Sequence, residues 1–183
     1  MKKLTKVLSL ALSAVIAVSI FTSTTLAASR ADQYKRELTV DEQQAIASIF
    51  DAKYYATVYR DIMDFYGFKY YTEDCDAVLL AHFLNYGIWE ERQPCAKFNI
   101  DVYATRNIDL RAEYGDDIIS YYMHYASHPE EVTWRVVPTL GDAYAKGIYV
   151  YSVYDLVQGS STEVKPGALP VQTPNYAPNL GIK

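Results

Sequence analysis

Few side chains in this sequence could do chemistry, so their spacing is the first constraint. The 183 residues include three His and two Cys. His82 and Asn85 stand three apart, which places them on one face of a helix, and Tyr121 and His124 repeat that spacing. Two such pairs could line a polar groove between packed units. Each could equally be a solvated edge, or a buried hydrogen bond holding two units in register. His128 lies in the polar turn SHPEE, with no neighbour that suggests a role. Cys75 and Cys95 bracket a helical stretch, 76–87, that climbs roughly 18 Å. Residues 88–95 could return over that distance at about 3.3 Å each, so a bridge is allowed but not required. A zinc site joining both Cys to His82 lacks a fourth ligand, and no metal or other cofactor is expected.

The acidic residues offer little more. Glu73, Asp74 and Asp76 lack the alternating ligands and turn glycine of a calcium loop, and Asp76 reads more simply as a helix cap. Glu90, Glu91 and Arg92 read as a rim ion pair, worth little if exposed. No HExxH, GxSxG, phosphate-cradling Gly loop or Cys–His nucleophile pair is present. Paired carboxylates for glycoside hydrolysis stay open, since 22 acidic residues make such pairs easy to assemble. Among aromatics, Trp89 and Tyr86 are the binding candidates. Trp89 follows the expected helix stop at Gly87, where a partly exposed indole could stack on a sugar ring or a partner's apolar group. The competing reading has it stapling its loop to the next element.

These residues must be held by short helices. Thr39 followed by Glu42 fits a capping box, and Val40, Ala45, Ile46 and Ile49 form a helical apolar stripe toward Phe50. Asp51 is a natural N-cap for a helix through Tyr54, Tyr55 and Val58. A second helix is expected over 61–66, stopping at Gly67, and a third from Asp76 to Gly87. That third helix is apolar almost all round, as a central helix is.

The sentence then starts again. Sliding the chain by 48 residues lays Phe50 on Phe98, Tyr55 on Tyr103, Asp61 on Asp109 and Gly67 on Gly115. After a deletion in the second half, Phe83 falls on Tyr122 and Tyr86 on Tyr125. A period of this size implies one supersecondary unit that buries its apolar face against its neighbour. The pattern FDxxYYxxxYxD, HFLxYGIxExRxP and a fresh F-[DN] resembles a tandem helical repeat of bacterial secreted and cell-surface proteins. Phe50, Asp51, Tyr54, Tyr55, Asp61, His82, Phe83, Gly87, Glu90, Arg92 and Pro94 carry the likeness, while Glu91 stands where that repeat has Gly. The resemblance implies architecture and surface context, and no catalytic residue.

The expected fold is mainly α: two degenerate three-helix repeats packed as one domain, with an N-terminal helix and an extended C-terminal tail. Residues 1–27 have the Lys-rich start, apolar centre and small-residue end of a secretory signal. A loose leader, 28–38, precedes the repeat domain at 39–131, divided into 50–97 and 98–131. A packing arm at 132–158, with 142–157 either strand or helix, leads to a Pro-rich disordered tail at 159–183. Removing Lys2, Lys3 and Lys6 with the signal leaves 14 of 17 basic residues against 22 acidic ones, taking the formal charge from −5 to −8. That balance disfavours nucleic acid. The sequence thus leads to an expectation of a secreted, non-catalytic interaction module. It would act in the extracellular space or on the bacterial cell wall, binding a surface polymer or protein and no membrane after signal cleavage. A small secreted hydrolase of wall polymers and a structural spacer are the alternatives.

Overall fold

Several of the helices begin where a side chain takes up amides that the first turn leaves unpaired. The computed structural model describes residues 29–171, so the expected signal and the last part of the expected tail, 172–183, lie outside the described residues. Ser29 and Asp32 form a capping box for α1 (Arg30–Tyr34). Thr39 and Glu42 form the expected one for α2 (Val40–Ser48), the Thr39 amide donating to the Glu42 carboxylate at 2.8 Å. Asp51 accepts from the Tyr54 amide at 2.9 Å to start α3 (Ala52–Val58). Then come α4 (Arg60–Phe65) and α5 (Asp76–His82), which continues as a π turn over Phe83–Gly87. Asn99 caps α6 (Ile100–Arg106) as Asp51 caps α3, accepting from the Val102 amide at 2.9 Å. It leads to α7 (Ile108–Tyr114) and α8 (Ile118–Ser127). Gly67 and Gly115 end α4 and α7 with φ of +74° and +57°, a backbone region open to glycine at little cost.

Helices α3 and α5 pack together, as do α6 and α8, and α2 lies along α8. One apolar cluster runs through all of them, from Ile46 and Tyr55 through Leu79, Phe83 and Phe98 to Tyr122 and Leu156. Among the described residues regular structure is helical, with two isolated antiparallel bridges, Cys95–Phe98 and Leu156–Val164.

Four expectations need correction. The leader is not loose: α1 forms, and the Tyr34 ring stacks on Tyr154 at 4.2 Å while its hydroxyl donates to Asp116 at 3.0 Å. Asp76 does not cap α5. A 3-10 turn, Glu73–Cys75, feeds directly into the helix, and the Asp76 carboxylate accepts from the Tyr71 hydroxyl at 2.8 Å instead. The stretch 142–157 is neither one strand nor one helix, and short helices break up the whole arm at 132–158. It holds α9 (Val132–Arg135), α10 (Leu140–Ala145) and a 3-10 turn at Val153–Asp155. Thr139 caps α10 and Gly147, at φ +74°, ends the excursion, so local capping overrides the β-branched composition. Val137, Leu140, Ala143 and Val150 close a small second cluster on Val102. Residues 159–171 of the expected tail lie along the body: the Lys165 amide donates to the Asp155 carbonyl at 2.7 Å, and the Val171 amide to the Val150 carbonyl at 2.8 Å.

Candidate functional site

Two clusters of rings around a histidine sit at the heart of the helical body. In the first, the Tyr55 hydroxyl and His82 Nδ1 share a hydrogen bond of 3.0 Å, Tyr55 meets Phe83 edge-on at 5.5 Å, and Phe50 stacks on Phe83 at 5.2 Å. In the second, Tyr103 and His124 Nδ1 are 3.0 Å apart, Tyr103 meets Tyr125 edge-on at 5.6 Å, and Phe98 lies 4.2 Å from Tyr125. Tyr66 lies 6.2 Å from His82, as Tyr114 lies 6.3 Å from His124. These contacts match His82 with His124 and Phe83 with Tyr125. The sequence alignment places Phe83 on Tyr122, one helical turn short. Residues three apart on a helix share a face, and both positions are Tyr, so pattern alone cannot choose between them.

An arginine fork ties the end of each cluster. Arg92 reaches Asp61 at 2.9 Å and Glu90 at 2.6 Å, with its guanidinium 4.9 Å from the Tyr59 ring centre. Arg135 reaches Asp109 at 2.7 Å and Glu131 at 2.6 Å, and lies 4.1 Å from the Trp134 ring. Burial opposes the charge on Arg92, but its bonds to Asp61 and Glu90 outweigh that and hold the guanidinium more firmly protonated. The bond to Arg135 holds the Asp109 carboxyl below its ordinary range. These four carboxylates are bound to guanidinium groups, an arrangement that ties loops to helices.

The expected binding residues divide. Trp89 is 2% exposed, so its expected exposure is wrong: the Tyr154 hydroxyl donates to its carbonyl at 2.9 Å and the indole belongs to the core. Tyr121 is fully buried, its hydroxyl donating to the Gly115 carbonyl at 2.8 Å, so it lines no groove. Asn85 turns its amide back onto the Ala81 carbonyl of its own helix at 2.7 Å. His124 stacks on His128 at 4.2 Å and lies 3.7 Å from Glu131. Burial, then the neighbouring His128 and Arg135, lower its pKa. His82 is buried, and burial pushes its pKa down to about 4. Cys75 and Cys95 are both free thiols. Among the described residues, no group of three or more His, Cys, Asp or Glu side chains could hold a metal ion.

Tyr86 is the candidate that stands at the surface, 38% exposed, and it has company. Phe65 is 79% exposed and meets Tyr66 edge-on at 5.0 Å, and Tyr66 is 37% exposed. The contacts continue from Tyr66 to His82 and on to Tyr86 at 5.5 Å, and Lys35 Nζ sits 4.1 Å over the Tyr86 ring. The result is a run of rings across α4 and α5 with the buried His82 as its floor. The fold does not demand it, because the position 48 residues after Phe65 is Glu113, also exposed. Sequence reading missed Phe65 and also Trp134, which is 53% exposed. Phe65 carried a signal, an apolar residue beside a helix stop in one half and a charged one in the other. Compared with known proteins, the chain matches no family model, no curated protein and no solved structure.

Proposed function

We propose that this chain is a secreted, non-catalytic interaction module of the bacterial cell surface that holds a sugar polymer on the Phe65–Tyr66–Tyr86 face. The observation that carries the reading is the unbroken run of ring contacts reaching the surface at three exposed aromatics. Aromatic faces take up the C–H faces of sugar rings, and the two Tyr hydroxyls and the Lys35 ammonium can bond to sugar oxygens. A formal charge of −5, or −8 once the expected signal is removed, favours a neutral polymer over a polyanion.

Retention on a polysaccharide wall fraction tests the reading. Phe65→Ala and Tyr86→Ala should each weaken retention by about tenfold, some 1.4 kcal/mol. Phe65→Ala should leave stability within about 0.5 kcal/mol of the parent, since the ring is exposed. Unchanged retention in both variants, retention on protein but not glycan, or hydrolysis of the polymer by the parent chain would each overturn it.

A further inference from the structure

Helix α1 is five residues long with none of them fully buried, so its own hydrogen bonds cannot hold it. Contacts from distant parts of the chain do. The Arg30 guanidinium pairs with the Asp155 carboxylate. The Tyr34 ring stacks on Tyr154 at 4.2 Å, and its hydroxyl donates to Asp116 at 3.0 Å. The Lys165 ammonium donates to that hydroxyl at 2.6 Å, so residues beyond 159 reach the helix too.

Lys35 follows directly as the C-cap of α1, its amide donating to the Ala31 carbonyl at 3.0 Å. On its other side the Arg36 guanidinium forks onto Glu42 at 2.9 and 2.7 Å. The backbone of Lys35 is thus fixed from both neighbours. Its exposed side chain carries Nζ to 4.1 Å from the centre of the Tyr86 ring. A lysine stem is flexible and loses rotamer freedom when held, so the place of its backbone decides whether the ammonium stays on the ring. An ammonium over a ring keeps N–H donors to spare for a ligand oxygen.

We infer that Tyr34 is a positioning residue for the Phe65–Tyr66–Tyr86 face and acts through Lys35; this rests on the reading of that face as a sugar site. With α1 seated, Lys35 stands over Tyr86, and a sugar packed beside that ring meets an ammonium. With α1 lifted, the ammonium swings into water and the ring keeps its stacking surface alone. Asp116, Tyr154 and Lys165, all distant from Tyr86 in the chain, thereby set how well a polymer is held.

Retention on the polysaccharide wall fraction tests this as a double-mutant cycle. Lys35→Met removes the charge and keeps the stem, and should weaken retention about fivefold, the worth of one hydrogen bond. Tyr34→Ala should weaken it by a similar factor in the parent, and by less than about twofold in the K35M background, where the ammonium is already gone. A purely structural role for Tyr34 would lower the denaturant midpoint in both backgrounds without this dependence of retention on Lys35. Unchanged retention in K35M or in Y34A, or losses that simply multiply in the double variant, overturns the positioning role. Should Y34A fail to fold, Tyr34→Phe takes its place, since it keeps the ring on Tyr154 and gives up the bonds to Asp116 and Lys165. Retention should then weaken about twofold with Lys35 present and stay unchanged in K35M, and no loss in either overturns the role. Retention lost in F65A but not in Y34A overturns the positioning role alone. Retention unaltered in both F65A and Y86A overturns the sugar site as well.

Discussion

His82 is held neutral by its surroundings, and that makes acid a specific stress on this molecule. Its pKa is about 4 in the folded chain, against about 6.5 unfolded. A histidine with a lowered folded pKa binds its proton more readily when the chain opens. Its stability contribution is therefore complete above about pH 6.5 and drains away as pH falls toward about 4. Denaturant midpoints of the parent and of His82→Gln across that window should converge as pH falls, and parallel curves would show that His82 does not report on folding. At this scale the sequence was legible wherever the partner is three residues away. Thr39 with Glu42 and Asp51 with the Tyr54 amide were readable because capping is local. Trp89 was not, because its burial depends on Tyr154, 65 residues further on. The indole that does reach solvent, Trp134, stands in a stretch whose β-branched neighbours disguise a helix.

The π turn at Phe83–Gly87 is where element geometry meets packing. An extra residue in the turn brings Gly87 against the Tyr55 hydroxyl, and a β-carbon there would lie 2.5 Å from that oxygen and 2.7 Å from the Phe83 ring. Gly87→Ala should therefore destabilise by about 1–3 kcal/mol, although alanine is the better helix former. A midpoint equal to or above the parent's would show that the turn has room to spare. The short helices and their order were legible in the sequence, since caps and glycine stops are local signals. The register of the third helix was not. The segment between α4 and α5 differs in length from that between α7 and α8, and the missing residues can be taken out at several points without disturbing the ring pattern. Contacts to Tyr55 and Tyr103 decide it, and those are tertiary.

Across the whole molecule, the two ends of the described chain close over the same corner. Tyr34 meets Tyr154, Asp116 and Lys165, and Arg30 pairs with Asp155. The tail adds bonds from the Gly159 amide to the Ala112 carbonyl at 2.8 Å and from Arg111 to the Glu163 carbonyl. A chain ending at residue 157 should lose roughly 1–3 kcal/mol, several hydrogen bonds less the entropy regained by the segment. An unchanged thermal or denaturant midpoint would mean that the tail rests there without contributing. A Pro-rich, polar stretch reads as disordered because its own composition builds no core, and its described part, 159–171, is ordered by a body the composition does not describe. The seat of Tyr34 has a consequence in time. A ribosome delivers Tyr34 long before Lys165, which follows it by 131 residues. Until then the first helix has no stacking ring and no ammonium to meet, so during synthesis its seat closes only after almost the whole described chain has been made.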